Sequence, residues 1–236
     1  MKKLLQFSAI FLLAACGPDE ADFKSQIPER PAFEDRVIES EAQASQPKVL
    51  PEAVNNEAFF FPQAPDADWN LPWEEACEEA SLLIAYHALQ GEALTREEFR
   101  NAILNMVDWQ KENLGHYEDT TVEETAKILE EYLEFTDYRT LENPSIEDLK
   151  KELAQGHLIV APFAGRMLGN PFYSGEGPYY HMMVLKGYDS ENFITNDVGT
   201  RRGHNFIYPY QTIMNALHDY LPTDIELGEA KVIVLK

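Results

Sequence analysis

The chain has 236 residues, 44% of them hydrophobic and 11% aromatic, enough apolar material for a packed core and a composition that excludes global disorder. Its 41 acidic and 19 basic residues leave a net charge of -22, which argues against binding nucleic acid or an anionic membrane surface through charge, because phosphate recognition needs basic clusters. The length accommodates one domain with appendages or two small domains.

The first residues read as an address rather than as fold. Lys2 and Lys3 precede an apolar stretch over residues 4–15, about a dozen residues long and shorter than the ~20 that span a bilayer as a helix. It ends in Leu13-Ala14-Ala15-Cys16-Gly17, which resembles the lipobox of bacterial lipoproteins. That resemblance implies cleavage before Cys16, lipid on its sulfur and new amino terminus, and a place in the cell envelope, outside the cytoplasmic membrane and anchored through Cys16. Residues 1–15 are then a signal peptide. Residues 16–56 are acidic, punctuated by Pro18, Pro28, Pro31, Pro47 and Pro51, and without a sustained apolar period, so they read as a tether. With Cys16 lipidated, Cys77 has no partner for an intramolecular disulfide. Such a thiol is either buried or used.

The domain is expected over residues 57–236. Pro62, Pro65 and Pro72 forbid a regular helix until after residue 72. Ala80, Ser81, Ile84, Ala85 and Ala88 then follow Cys77 at offsets of 3, 4, 7, 8 and 11, one face of a helix that runs to Leu89 and stops at Gly91. Two readings of Cys77 stand. At a helix N-terminus, unpaired amides and partial positive charge favour a thiolate; on a buried face, cysteine is a small hydrophobe. Glu74, Glu75, Glu78 and Glu79 crowd it, and nearby negative charge raises a thiol pKa unless these side chains cap the helix and point outward. Thr95 with Glu98 starts a second helix reaching Val107, residues 108–119 read as a loop, and Thr121 with Glu124 starts a third reaching Glu134. Ser145 caps a short helix that Gly156 ends.

After Gly156 the apolar period changes from helical to alternating. Strands are expected over residues 157–163, 181–188, 193–198, 206–208 and 231–235, with a turn at 189–192 and a helix from Pro209 to Tyr220. Residues 164–180 form a long loop rich in glycine and aromatics, and a loop of that length in a compact domain is a functional candidate. Helices followed by antiparallel strands describe an α+β domain.

A cysteine acts as a nucleophile only when a base takes its proton and a third group orients that base. His181 and Asp197 lie on the two strands of one predicted hairpin. With Asp189 and Asn192 flanking the turn, ideal pairing sets Asp197 opposite Val184, so contact with His181 requires a bend or bulge. Taken singly, His181 reads as a strand-end histidine and Asp197 as a turn carboxylate before Gly199.

Together with Cys77 they carry a resemblance. The stretches QAPDADW, CEEASLL, NPFYSGEGPYYHMMVLKGYD and FITNDVGTRRG, spread over residues 60–219, resemble the bacterial cysteine-peptidase family thirty-nine, whose founding members are the double-glycine leader peptidases that process bacteriocins. The resemblance implies a papain-like fold, with Cys77 as nucleophile, His181 as general base and acid, and Asp197 as the residue orienting His181. It implies Gln63 as side-chain donor to the oxyanion beside the Cys77 N–H, although Gln63 lies fourteen residues before the cysteine where relatives of papain place it about six before. Asn70 is a second candidate for that donor. Trp69, Asn170, Phe172, Tyr173 and Tyr180 are the expected substrate-binding residues, and the substrate is a peptide or protein.

Elsewhere the chemistry is sparse. His116 to Asp119 and the pair His218-Asp219 lack the spacing of a metal site and read as loop and helix-end residues. Residues 199–203 read as a turn, with Arg201 or Arg202 pairing with local carboxylates. No cofactor and no metal are implied, and a monomer is expected. Three functions remain open on the sequence: a lipid-anchored envelope cysteine peptidase, a catalytically silent peptide-binding lipoprotein on the same fold, and a structural envelope lipoprotein.

Overall fold

The structure, a computed structural model, describes residues 49–236, so the expected signal peptide, Cys16 and most of the expected tether lie outside the described residues. A two-residue strand β1 (Val54–Asn55) comes first and pairs with the strand that carries His181. Tyr188 also donates its hydroxyl to the Pro51 carbonyl at 3.0 Å. The sheet thus takes in residues ahead of position 57.

Prolines hold the chain irregular up to a 3-10 turn at Trp73–Glu75, and helix α1 (Cys77–Leu89) begins only after it. Gly91, at φ +71, then supplies the left-handed residue that follows the helix. Helices α2 (Arg96–Asn113) and α3 (Val122–Glu131) open on the reciprocal capping boxes Thr95/Glu98 and Thr121/Glu124. Strand β2 (Tyr138–Glu142) and helix α4 (Ile146–Leu153), capped by Ser145 with Asp148, precede β3 (Leu158–Ala164). A second 3-10 turn at Gly165–Leu168 leads through the long loop to β4 (Tyr180–Tyr188). Strands β5 (Asn192–Asn196) and β6 (Phe206–Pro209), helix α5 (Tyr210–Ala216) and β7 (Lys231–Leu235) complete the chain.

Two helix ends move most and one strand is added. Helix α2 runs six residues beyond Val107, because Gln110 continues the buried stripe of Phe99, Ile103 and Met106 and finds a partner inside, the Glu79 carboxylate. Helix α5 stops at Ala216, since Leu217 turns extended to bridge Phe163 of β3. Strand β2 is absent from the sequence reading; it is a half-exposed edge strand held by β7, with no alternation of its own to mark it.

The described residues form one antiparallel sheet in the order β2-β7-β3-β4-β5-β6, with β1 added to β4. Helices α1, α2 and α3 cover one face, packing Leu83, Ile84, Phe99 and Ile128 over Val160, Met182 and Val184. Helices α4 and α5 cover the other, where Leu149, Leu153 and Ile213 meet Ile159, Met183 and Leu185. Strands β3 and β4 are buried throughout, because helices cover both faces of the sheet at its centre. Helix α1 lies between the sheet and α2. Its residues 77–85 are all buried, not only the stripe its period predicts.

The β4–β5 hairpin carries the bulge that the sequence reading required. Tyr188 faces Phe193, but the register shifts across Lys186 so that Val184 faces Asn196. One step further brings Asp197 level with Met183, on the same face of the strand as His181. Lys186, the extra residue, is buried and donates its ammonium to Asn55 and Asn205, which fastens the bulge to β1.

Candidate active site

Cys77 is the first residue of α1 and is 6% exposed. Its Sγ lies 3.0 Å from Glu78 Oε2 and receives the backbone N–H of Met182 at 3.3 Å. Met182 follows His181 on β4, so the sulfur sits against the strand at the histidine. Both Cys77 and His181 line one cleft of about 900 Å³.

The histidine is held by a buried carboxylate. His181 Nε2 bonds Asp197 Oδ1 at 2.8 Å, an oxygen that also accepts the Gly199 N–H at 3.0 Å. Asp197 Oδ2 accepts from Asn170 Nδ2 at 2.8 Å, the Tyr173 hydroxyl at 2.8 Å and the Tyr208 hydroxyl at 2.6 Å. Burial pushes the Asp197 pKa up. The His181 charge and the bonds from His181, Tyr208 and Tyr173 outweigh it and leave the group below the ordinary carboxylate value. An ionised Asp197 accepts the Nε2 proton, leaving Nδ1 as the ring nitrogen that has no hydrogen-bond partner among the described residues.

Small residues make room for the ring. A Cβ on Gly199 would stand 2.9 Å from His181 Cε1 and 3.2 Å from its Nε2, and one on Gly165 would stand 3.1 Å from His181 Cβ. Tyr173 closes the ring edge-on, with centroids 5.6 Å apart.

The Cys77 thiol is pushed well up, first by burial, then by the Glu78 charge and the bond to Glu78; the Met182 N–H acts against them. This reverses the lowering that a helix N-terminus alone would give. Glu78 and Glu79 are buried rather than pointing outward, because α1 is enclosed on every side. Burial raises Glu79 to about 7, and burial followed by the charges of Asp119, Glu74 and Glu118 raises Glu75 to about 7.

Gln63 lines the cleft at 3% exposure, but both amide protons are engaged: Nε2 donates to the Trp73 carbonyl at 3.0 Å and the Glu74 carbonyl at 2.8 Å. It braces the turn that leads into Cys77. Its fourteen-residue separation from the cysteine is absorbed by the irregular segment between them. Asn70, the other candidate donor, is exposed and bonded to Asp68. Trp69, Phe172, Tyr173 and Tyr180 line the cleft, whereas Asn170 is buried behind it on Asp197 and Tyr208. Tyr180 is itself buried, its hydroxyl on the Thr120 carbonyl at 2.8 Å. Arg202 stacks over Phe172 at 4.7 Å and has no carboxylate partner among the described residues. His116 contacts Glu124, and His218 bonds the Gly228 carbonyl. Tyr208 and the steric role of Gly199 escaped the sequence reading, since one acts through a contact distant in the chain and the other through missing bulk.

Residues 57–223 match the Peptidase_C39-like family, well over half of the sequence. The chain belongs to that family. It is therefore a cysteine peptidase by membership, and its α+β architecture is the papain-like one. A C39-like peptidase from Bacillus anthracis has the same fold at 17% identity and a TM-score of 0.53, covering 79% of this chain and 98% of its own. Xylellain, a cysteine protease from Xylella fastidiosa, aligns at 14% identity and a TM-score of 0.47 over 80% of this chain and 87% of its own. No curated protein sequence matches the chain.

Two outcomes are expected. Gly199→Ala, whose backbone conformation tolerates alanine, should displace the His181 ring and slow Cys77 alkylation by about tenfold to a hundredfold while the denaturation midpoint barely moves; an unchanged rate would mean that the ring has room to spare. The second concerns pH. Glu75 and Glu79 have folded pKa values near 7 against 4.5 unfolded, so their contribution is complete below 4.5 and is lost as pH rises through about 7. Asp197 has the opposite sign, contributing above 3.8 and failing as pH falls through its lower folded value. Thermal unfolding should thus show greatest stability near pH ~5 and a decline towards pH ~8 that Glu75→Gln makes shallower. A flat or rising profile over that range would contradict the assignment.

Proposed function

We propose that this chain is a lipid-anchored cysteine peptidase of the cell envelope, acting on peptide or protein substrates through a Cys77-His181-Asp197 triad. Cys77 attacks the scissile carbonyl, His181 takes the thiol proton and returns it to the leaving amine, and Asp197 holds the ring with Nδ1 free. The observation that carries this reading is the Asp197 carboxylate, fully buried and supplied with five donors, one of them His181 Nε2. So much polar satisfaction around one histidine is more than a strand end needs. The first oxyanion donor is the Cys77 N–H at the start of α1. Gln63 joins it only by releasing the Trp73 or Glu74 carbonyl. Trp69 and Phe172, both partly exposed on the cleft rim, are the side chains offered to substrate. The chain acts as a monomer without cofactor or nucleic acid.

A second reading, a silent peptide-binding lipoprotein, has one observation in its favour: the resting thiol faces a carboxyl group rather than the imidazole. The pH dependence of Cys77 alkylation separates the two. Fast labelling near neutral pH that collapses at least tenfold in His181→Ala, with peptide hydrolysis lost in Cys77→Ala, is the expected result. Equal, slow labelling in parent and His181→Ala would hand the lead to the binding reading. For the anchor, mass spectrometry of the mature amino terminus should find an acylated Cys16; a free thiol at that position would remove the lipoprotein assignment.

A further inference from the structure

Of the buried titratable groups outside the triad, Glu78 is the one that touches the sulfur. We propose that Glu78 is a further catalytic residue, a neutral carboxylic acid whose Oε2–H donates to Cys77 Sγ and, with the Met182 N–H, holds the sulfur as a thiolate. The proposal rests on Cys77 being the nucleophile.

The two oxygens of Glu78 have different partners. Oε1 accepts the Thr120 N–H at 2.8 Å, with Thr120 Oγ1 at 3.5 Å. Oε2 has Sγ at 3.0 Å and no other partner among the described residues. A proton shared across the Sγ–Oε2 contact sits either on sulfur, which then donates, or on Oε2, which then donates to sulfur while Oε1 accepts from Thr120; burial decides between the two. Glu78 is 1% exposed, and no lysine, arginine or histidine nitrogen lies within 4.0 Å of it among the described residues. An ionised carboxylate without a cation in such a place is far costlier than the acid. The titratable groups around it point the same way: Cys77 and Glu79 on its own helix, Tyr180 on β4 and Asp119 beside Thr120 are all acids. Burial first and the Glu79 charge second raise its pKa well above the ordinary range.

A neutral Glu78 also changes the position of the thiol. The negative charge that pushes Cys77 up is then absent, and a donor takes its place. When the S–H bond breaks, its proton forms the second N–H of the His181 ring, while Glu78 keeps its own. Loss of that second proton would set two anions 3.0 Å apart, so sulfur and carboxyl together carry a single negative charge, the one an imidazolium balances.

The test is the pH midpoint of Cys77 alkylation by iodoacetamide in the parent, Glu78→Gln, Glu78→Leu and His181→Ala. Glutamine keeps an N–H donor at the sulfur and leucine removes it. Glu78→Leu should raise the midpoint by about one pH unit or more, a tenfold loss of thiolate, and Glu78→Gln by less than about half a unit. Infrared spectra near neutral pH should contain a carboxylic acid C=O band that Glu78→Gln removes. A midpoint that falls in Glu78→Gln, as relief from an ionised neighbour requires, overturns the proposal, as does a Glu78→Leu midpoint equal to the parent's or a band unchanged by Glu78→Gln. If Glu78→Leu does not fold, the glutamine midpoint and the infrared band decide. Collapse of labelling in His181→Ala keeps the triad reading whatever Glu78 does, so the two ideas fail separately.

Discussion

A charged carboxylate with no exposure to water has to be met by donors, and Asp197 meets this requirement with five. The donors come from separate parts of the chain. Asn170 and Tyr173 belong to the long loop before β4, Tyr208 to β6, Gly199 to the turn after β5, and His181 to β4 itself. Satisfying one side chain therefore pins the loop, the turn and two strands in one arrangement. The long glycine-rich segment keeps a defined shape because its polar groups end on this carboxylate. His181 inherits its tautomer and orientation from the same network.

The register that makes this possible is set at the far end of the hairpin. An extra residue at Lys186 turns Asp197 from the face of Val184 to the face of His181. A buried lysine is unfavourable unless its ammonium is bonded, and Asn55 and Asn205 supply the acceptors. Strand β1, two residues long, thereby holds the bulge that aligns the site. Gly187 permits the close approach, since a Cβ there would stand 2.2 Å from the Val54 carbonyl oxygen.

Helix α1 imposes the second constraint. It packs between the sheet and the helices α2 and α3 on the same face, so it carries acidic residues into the interior beside the sulfur. Glu79 is met by Gln110 of α2, with one oxygen of each left unpaired, and Glu78 is met by Thr120 and Cys77. Burial raises the pKa of both carboxyl groups. The thiol thus lies against the strand beside His181, with the Met182 N–H and the Glu78 carboxyl group as its partners.

Much of the architecture was legible in local signals. The capping boxes at Thr95, Thr121 and Ser145, the prolines before residue 77 and the change of apolar period after Gly156 are interactions within a few residues, so they can be read along the chain. The order of Cys77, His181 and Asp197 within their motifs carried the family. Other features needed the folded chain. Strand β2 exists only because β7 pairs with it, α2 continues because Gln110 meets Glu79, and Asn170 supports Asp197 instead of facing substrate. Helical period predicted one buried face for α1, and enclosure buried all of it. By itself, the sequence determined the family and the order of the candidate residues Cys77, His181 and Asp197 along the chain, because residue type and short-range spacing are properties of the chain. Tertiary structure alone decided the ionic environment of the sulfur, because burial and the approach of Thr120, Met182 and the buried carboxyl groups are properties of contacts between segments distant in sequence.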